Sequence, residues 1–171
     1  MRHTISVLVE NEFGVLSRIA GLFSGRGFNI ESLTVAETLD PTVSRLTLVT
    51  RGDDKVLEQI TKQLNKQISV IKVIDFLETK HVERELALIK VSASEKTRAE
   101  VMNIVDIFRA KVIDVGPQGY IVELTGDEEK INAIIELLRP IGIKEIARTG
   151  KVAMHRGVQL LTESEDKEKA A

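Results

Sequence analysis

Residues 3–23, HTISVLVENEFGVLSRIAGLF, change the spacing of their apolar side chains halfway along. Alternate residues from Ile5 to Val9 are apolar, which is typical of a β-strand with one buried face. After the turn that contains Gly14, apolar side chains recur at i, i+3, i+4 and i+7 from Leu16 to Phe23, which is typical of an amphipathic helix. The stretch therefore predicts a strand, a tight turn and a helix in succession.

The pattern continues through the first half of the chain. Gly25-Arg26-Gly27 ends the helix, since glycine adopts the left-handed conformations that helix C-termini need. Asp40-Pro41-Thr42 predicts a hairpin loop, and Gly52-Asp53-Asp54 predicts the start of a second helix with acids in its first turn. The remaining strands are predicted over 28–38, 43–51 and 68–77, which gives the order β-α-β-β-α-β.

The second half repeats this order. We align the apolar stripe that begins at Leu16 with the one that begins at Val101, 85 positions later, and Gly52 with Gly126, 74 positions later. The stretch between the two helices is then 11 residues shorter in the second copy, which a truncated hairpin explains. The predicted strands of this copy are 84–93, 112–115, 120–125 and 141–148.

The predicted fold class is α+β, with two tandem ferredoxin-like βαββαβ domains whose antiparallel sheets carry helices on one face. Residues 1–78 form the first domain, 81–157 the second, and 158–171 a charged tail that we expect to be mobile. The other face of each sheet is expected to be solvated or covered by a partner.

Composition excludes several classes of function. The chain has no cysteine and a net charge of −2, with no basic stripe for nucleic acid and no aromatic residue on the third predicted strand to stack bases. The three histidines are scattered, and neither a phosphate-binding glycine loop nor a serine elbow is present. No apolar run approaches the length of a membrane span, so we expect a cytoplasmic protein without a catalytic or metal site.

The first strand-to-helix turn is the best candidate for a ligand site. Unpaired N–H groups at a helix start favour a carboxylate, and Gly14 allows its close approach. Asn11 is expected to cap the helix or to offer its amide oxygen to an ammonium group. Val15, Leu16, Asn29 and Ile30 complete a predicted site for a small amino acid with a branched apolar tail, although the same residues also suit ordinary turns.

Three motifs resemble the small regulatory subunit of acetolactate synthase, a family with amino-acid-sensing ACT domains. They are Asn11-Glu12-Phe13-Gly14-Val15-Leu16-Ser17-Arg18, Arg26-Gly27-Phe28-Asn29-Ile30-Glu31-Ser32-Leu33 and Ser44-Arg45-Leu46-Thr47. The resemblance implies an N-terminal ACT domain, an ACT-like second domain and a homodimer formed by the N-terminal domains. Its effector contacts map onto Asn11, Gly14, Val15, Leu16, Asn29 and Ile30.

The resemblance further implies a role in the biosynthesis of valine, leucine and isoleucine. The effector is valine or a related branched-chain amino acid, and the catalytic partner is a large subunit that carries thiamine diphosphate, Mg²⁺ and FAD. This chain would carry no cofactor itself. Two alternatives stay open: a free-standing tandem ACT protein that regulates a different partner, and a small ferredoxin-like enzyme such as an acylphosphatase. The second would need an arginine in a phosphate-binding loop, which the first turn lacks.

Overall fold

A computed structural model describes residues 1–77 and 79–157. The first half forms β1 (Arg2–Glu10), α1 (Val15–Ser24), β2 (Ile30–Glu37), β3 (Val43–Arg51), α2 (Asp54–Asn65) and β4 (Val70–Asp75). The four strands make one antiparallel sheet in the order β2-β3-β1-β4, so β2 and β4 are its edges.

The second half forms β5 (His81–Ser92), α3 (Arg98–Ile107), β6 (Lys111–Val115), β7 (Gly119–Gly126), α4 (Glu128–Gly142), β8 (Ile143–Arg148) and β9 (Val152–His155). Its sheet has the order β6-β7-β5-β8, and β9 pairs with β5. The predicted fold class, α+β with two tandem βαββαβ domains, is confirmed. The sequence pattern missed β9, because four residues are too few to show a period. No helix in the described part of the chain is long and apolar enough to cross a membrane.

The chain divides into two compact units. One contains Met1–Val82 together with residues 151–157, and the other contains Glu83–Gly150. Residues 151–157 were predicted in the second domain but belong to the first unit, where the N–H of Arg156 donates to the carbonyl oxygen of Lys80 (3.0 Å). Glu78, the last residue of the predicted first domain, and the predicted mobile tail 158–171 lie outside the described residues.

Each unit has an apolar core between its helices and one face of its sheet. In the first unit, the fully buried side chains of α1 and α2 meet the odd-numbered residues of β1 and the even-numbered residues of β3: Ile5, Val7, Ile19, Phe23, Leu46, Leu48, Ile60 and Leu64. In the second, the corresponding set is Ile89, Val91, Val101, Val122, Leu124, Ile131, Ile134 and Leu138. Ile19, Phe23 and Val101 lie on the apolar stripes that the sequence predicted, whereas Leu16, which was predicted to begin the α1 stripe, is 44% exposed.

The opposite face of the first sheet is not solvated at its centre. Ser6, Leu8, Thr47 and Val49 lie on it and are 0–4% exposed. Arg45 lies on the same face, where its Nε donates to Ser6 Oγ (3.0 Å) and its Nη2 donates to the carbonyl oxygen of Ala153 on β9 (2.7 Å). The expectation of a solvated or partner-covered face is therefore wrong at this point, because residues 151–157 of the same chain reach it.

The two domains align with each other three residues, or about one helical turn, away from the predicted alignment. α1 ends in a Schellman motif, in which Gly27 has φ +69°, its N–H donates to Ser24 O (3.2 Å), and the N–H of Phe28 donates to Phe23 O (3.0 Å). α3 ends in the same two bonds, from Arg109 to Asp106 O (3.1 Å) and from Ala110 to Val105 O (2.9 Å). Phe23 thus corresponds to Val105, and Ile19 rather than Leu16 corresponds to Val101.

Candidate effector site

The β1–α1 turn leaves the start of α1 open. Gly14 precedes the first helical residue with φ +81° and ψ −3°, a left-handed conformation that L side chains rarely adopt. The N–H of Val15 makes only a long turn bond to Glu12 O (3.4 Å), and no side chain caps the helix. The first-turn N–H groups are therefore available to an anion.

α1 differs in this respect from the other described helices. Asp53 accepts from the N–H of Val56 (2.9 Å) at the start of α2, and Asp127 accepts from the N–H of Lys130 (2.9 Å) at the start of α4. α3 carries Glu100 in its first turn. Of the four described helices, α1 alone has neither a side-chain cap nor an acid in its first turn.

Asn11 joins the turn to the β2–β3 hairpin. Its backbone N–H donates to Thr42 O (2.7 Å), and its Nδ2 donates to Pro41 O (2.9 Å) and to Glu37 Oε1 (3.1 Å). The predicted capping of α1 by Asn11 is wrong, because the amide points towards the hairpin. Its Oδ1 accepts no hydrogen bond from residues 1–77 or 79–157, so it stays available to a donor such as an ammonium group.

The predicted roles of Val15 and Leu16 separate in the structure. The Val15 side chain is 4% exposed and belongs to the core with Ile19, so it cannot line a site for an apolar tail. Val15 can contribute only its backbone. The Leu16 side chain is 44% exposed beside Gly14 and remains able to contact a ligand.

Asn29 and Ile30 lie at the other end of the sheet. Ile30 pairs with Thr50, which also pairs with His3, whereas Asn11 follows the last residue of β1. The level of Asn11 is eight residue steps along β1 from that of His3, which corresponds to about 26 Å at about 3.3 Å per residue. Within one copy of the chain, the structure therefore brings together Asn11, Gly14, Val15 and Leu16, but not Asn29 and Ile30.

The Gly27-Phe28 pair has a structural role of its own. Phe28 follows the left-handed Gly27, and its ring meets the edge of Phe23 with centroids 6.5 Å apart, as expected for the apolar contact of a Schellman motif. Asn29 contributes its backbone oxygen, which accepts from Thr50 Oγ1 (2.7 Å), while its side chain is exposed. This motif therefore fixes the α1–β2 connection without using the side-chain amide of Asn29.

The hairpin residues Glu37, Pro41 and Thr42 were missed as part of the site. The sequence showed only a hairpin loop at 40–42, because contact with Asn11 depends on β1 and β3 being neighbours in the sheet. In the second domain the corresponding turn is closed by a guanidinium: Arg98 Nη2 donates to Pro117 O (2.9 Å) and its Nε to Ala93 O (3.4 Å). An open turn of this kind is thus a feature of the first domain.

Two of the three histidines meet at one aromatic ring. His81 and His155 each lie with ring centroids 5.0 Å from Phe76, which is fully buried in the first unit. His3 is also buried, with its Nδ1 3.4 Å from Asp75 Oδ2. Among residues 1–77 and 79–157, no group of three or more histidine, aspartate or glutamate side chains could hold a metal ion.

Comparisons with known proteins agree with this architecture. Residues 5–72 match a family model described as the AHAS small subunit-like ACT domain, and residues 84–157 match a model described as the small subunit of acetolactate synthase. The chain is 58% identical over 157 residues to a probable acetolactate synthase small subunit of Archaeoglobus fulgidus, which covers 92% of this chain and 98% of that protein.

It is also 55% identical over 166 residues to the acetolactate synthase small subunit of Aquifex aeolicus, which covers 96% of this chain and 86% of that protein. The crystal structure of the acetolactate synthase small subunit from Thermotoga maritima superposes with a TM-score of 0.84 at 47% identity, covering 92% of this chain and 98% of that one. The matched regions together include both βαββαβ units. The chain belongs to the acetolactate synthase small-subunit family.

Proposed function

We propose that this chain is a cytoplasmic regulatory subunit that activates a catalytic large subunit of acetolactate synthase and makes it sensitive to feedback inhibition by valine or a related branched-chain amino acid. The thiamine diphosphate, Mg²⁺ and FAD that the reaction uses would be held by the large subunit. The observation that carries the proposal is the open start of α1 at Gly14, next to an amide oxygen that accepts no bond from the described residues.

These groups fit the head of an amino acid. Unpaired N–H groups and the positive end of the helix dipole favour the carboxylate, and the Asn11 Oδ1 favours the ammonium group. The partly exposed Leu16 side chain supplies apolar surface for a short branched tail. Backbone N–H groups, rather than side chains, would bind the carboxylate. Because nearly every residue type carries such a group, the sequence alone is weak evidence for this site.

The six predicted residues form one site only if two copies of the chain contribute to it. β2 is an edge strand, so its outer backbone groups are open to pairing with a second strand. Antiparallel pairing of β2 with β2 of a second copy would bring the beginning of one strand to the end of the other. Asn29 and Ile30 of the second copy would then approach Glu37, whose Oε1 is 3.1 Å from the Asn11 Nδ2.

This arrangement supports a homodimer formed by the N-terminal domains, with two equivalent effector sites related by a two-fold axis. Each site would combine Asn11, Gly14, the backbone of Val15 and the side chain of Leu16 from one copy with Asn29 and Ile30 from the other. Effector binding would then stabilise the dimer, because the ligand contacts both copies.

Gly14→Asp tests the effector half of the proposal. The new carboxylate would occupy the position of the ligand's carboxylate and repel it, while the turn lies at the surface. We expect acetolactate production by the large subunit to be raised by the variant as by the wild type, but no longer to fall during a valine titration.

Lys96→Asp is the matched control, because Lys96 occupies the corresponding exposed position in the second domain. We expect it to leave the valine response within about twofold of the wild type, as for most surface changes away from a site. Retained inhibition in Gly14→Asp would show that the effector binds elsewhere. Failure of the wild-type chain to change the activity of any large subunit would contradict the proposed function.

A further inference from the structure

The three most exposed large apolar side chains of the described residues lie on three loops at one end of the first sheet. Phe13 in the β1–α1 turn, Leu39 in the β2–β3 hairpin and Ile68 in the α2–β4 turn have relative exposures of 103%, 106% and 98%. The next most exposed side chain of this kind in the described part of the chain is Met1 at 73%. Isolated exposed apolar residues are ordinary, but three at one end of a domain point to an interaction surface. We call these three residues the apolar tips.

Hydrogen bonds hold the three loops side by side. The N–H of Asn11 donates to Thr42 O (2.7 Å), which joins the β1–α1 turn to the hairpin. The N–H of Glu10 donates to Ser69 O (2.9 Å), which joins β1 to the α2–β4 turn. Neighbouring strands are about 4.8 Å apart, so the ends of the four strands span about 15 Å. The apolar tips therefore lie within one surface.

The loops are also held in shape before any partner binds. Asp40 Oδ1 accepts from the N–H (2.9 Å) and the Oγ1 (2.7 Å) of Thr42, and these bonds lower the pKa of Asp40. Arg18 Nη2 donates to Ser69 Oγ (3.1 Å). Loops that are ordered in advance lose less entropy on binding, which favours their use as contacts.

The fold does not require the apolar tips. In the second domain, Glu95 occupies the place of Phe13, as the matching backbone bonds of Asn11 and Ala93 show. α4 ends at Gly142 and β8 begins at Ile143, so no loop corresponds to the one that carries Ile68. The same architecture is thus built without apolar side chains at these two positions, which argues for a role other than folding.

The charge around the apolar tips indicates the kind of partner. Four exposed carboxylates lie on or next to these loops, those of Glu10, Glu12, Glu37 and Asp40. The exposed cations on the helix side are two, Arg18 and Lys66. Two copies that met through this surface would place carboxylates against carboxylates, which disfavours self-association. The surface fits a different protein that offers apolar recesses bordered by lysine or arginine.

We propose that the apolar tips dock onto the catalytic large subunit of acetolactate synthase. This inference rests on the proposed function, which supplies a large subunit as the partner. The tips would enter recesses of that subunit, and the surrounding carboxylates would meet its basic residues. The surface lies on the first domain, beside the turn that contains Gly14. It adjoins the end of the β2 edge that the homodimer would use, at Glu37.

The test uses the full chain and the large subunit, with association measured by titration calorimetry and sedimentation. Phe13→Ser, Leu39→Ser and Ile68→Ser are each expected to weaken binding about tenfold, and the triple variant about a hundredfold or more. Ile107→Ser and Val115→Ser, at second-domain positions that are 72% and 69% exposed, are the matched controls and should stay within about twofold of the wild type. Glu12→Lys should weaken binding, most strongly at low salt.

Circular dichroism and the thermal shift produced by valine establish that each variant is folded and retains its effector site. A triple variant that binds the large subunit like the wild type would overturn the inference and leave the proposed function intact. A triple variant that no longer self-associates but still binds the large subunit would also overturn the inference, and would identify a second copy of the chain as the occupant of the surface. If the wild-type chain binds no large subunit, both the inference and the proposed function fail.

Discussion

Arg109 and Gly27 show how one backbone conformation is met by two different residues. Both follow the last turn of the first helix in their domain, with φ +50° and +69°, and both make the same pair of hydrogen bonds. For an arginine this left-handed conformation costs about 1 kcal/mol, whereas glycine adopts it readily. The second domain therefore tolerates strain at a position where the first has none.

Arg109→Gly should raise the free energy of unfolding of the second domain by up to about 0.6 kcal/mol, because it removes about 1 kcal/mol of strain and adds about 0.4–1 kcal/mol of entropy to the unfolded chain. Tyr120, the only tyrosine in a chain without tryptophan, lies in the core of that domain and reports its unfolding in urea. Gly27→Ala is the reciprocal control. Its Cβ would meet no atom within 4 Å, so it should destabilise the first domain through φ alone. Equal stability of Arg109→Gly and the wild type would show that the strain is absent.

The role of a single site residue could be predicted from the sequence only where that role depends on its backbone. Gly14 and the open start of α1 follow from a glycine at a strand-to-helix turn, and the structure agrees. The expected roles of Asn11 as a cap and of Val15 as a lining residue were wrong, because the hairpin draws the Asn11 amide away and the core takes the Val15 side chain. Both depend on tertiary neighbours that one sequence does not reveal.

Most helices and strands were predicted from their apolar period, but Ile141 and Gly142, which were predicted as the start of the last strand, form the end of α4. The starts of α2 and α4 at Asp53 and Asp127 follow from their capping aspartates. The alignment of the two domains was off by one helical turn, because two of the four positions of an i, i+3, i+4 and i+7 stripe coincide again after a shift of three residues. The Schellman motifs resolve this ambiguity, since their hydrogen bonds mark equivalent positions.

β9 is the element that the sequence did not predict, and it has a definite role in the first unit. Arg45 is half-buried, and burial lowers the pKa of its guanidinium, although the group remains charged at any physiological pH. Its Nη2 donates to the carbonyl oxygen of Ala153 on β9. Ala153 is itself 4% exposed, so loss of this strand would uncover apolar surface and remove an acceptor from a partly buried cation.

Shortening the chain tests this role of β9. A chain that ends at Gly150 should have faster hydrogen exchange in β1 and β3 than a chain that ends at Gly157, because it lacks the acceptor for Arg45. We expect a loss of about 1–3 kcal/mol in the free energy of local unfolding. The two chains differ only in residues 151–157. Both lack residues 158–171, so these residues cannot cause a difference between them. Equal exchange in both would show that β9 does not stabilise the first unit.

At the scale of the whole molecule, the two domains share a fold and differ in what their loops expose. The first has an open helix start at Gly14, an unpaired β2 edge and the apolar tips, whereas the second closes its equivalent turn with Arg98. A duplicated architecture can diverge in this way because its core residues fix the fold and leave the loops free to change. These differences are the reason why the proposed effector binding, dimerisation and contact with the large subunit are all assigned to the first domain.

The central claim is that one effector site is built from two copies of the chain. The distance of about 26 Å between the two groups of site residues within one copy makes this claim testable by mixing variants. Gly14→Asp would disable one half of the proposed site. Asn29→Ala would disable the other half and leave intact the backbone oxygen that accepts from Thr50. A homodimer of either variant would therefore contain no intact site.

The decisive measurement is valine binding by an equimolar mixture of the two variants, unfolded and refolded together, against each variant alone. In a mixed dimer, Asn11 and Gly14 of the Asn29→Ala chain would meet Asn29 and Ile30 of the Gly14→Asp chain and form one intact site. Statistical pairing into two-fold dimers then restores about a quarter of the wild-type sites, at wild-type affinity. Absence of valine binding in the mixture, with mixed dimers demonstrated by mass spectrometry, would contradict a site shared between two copies.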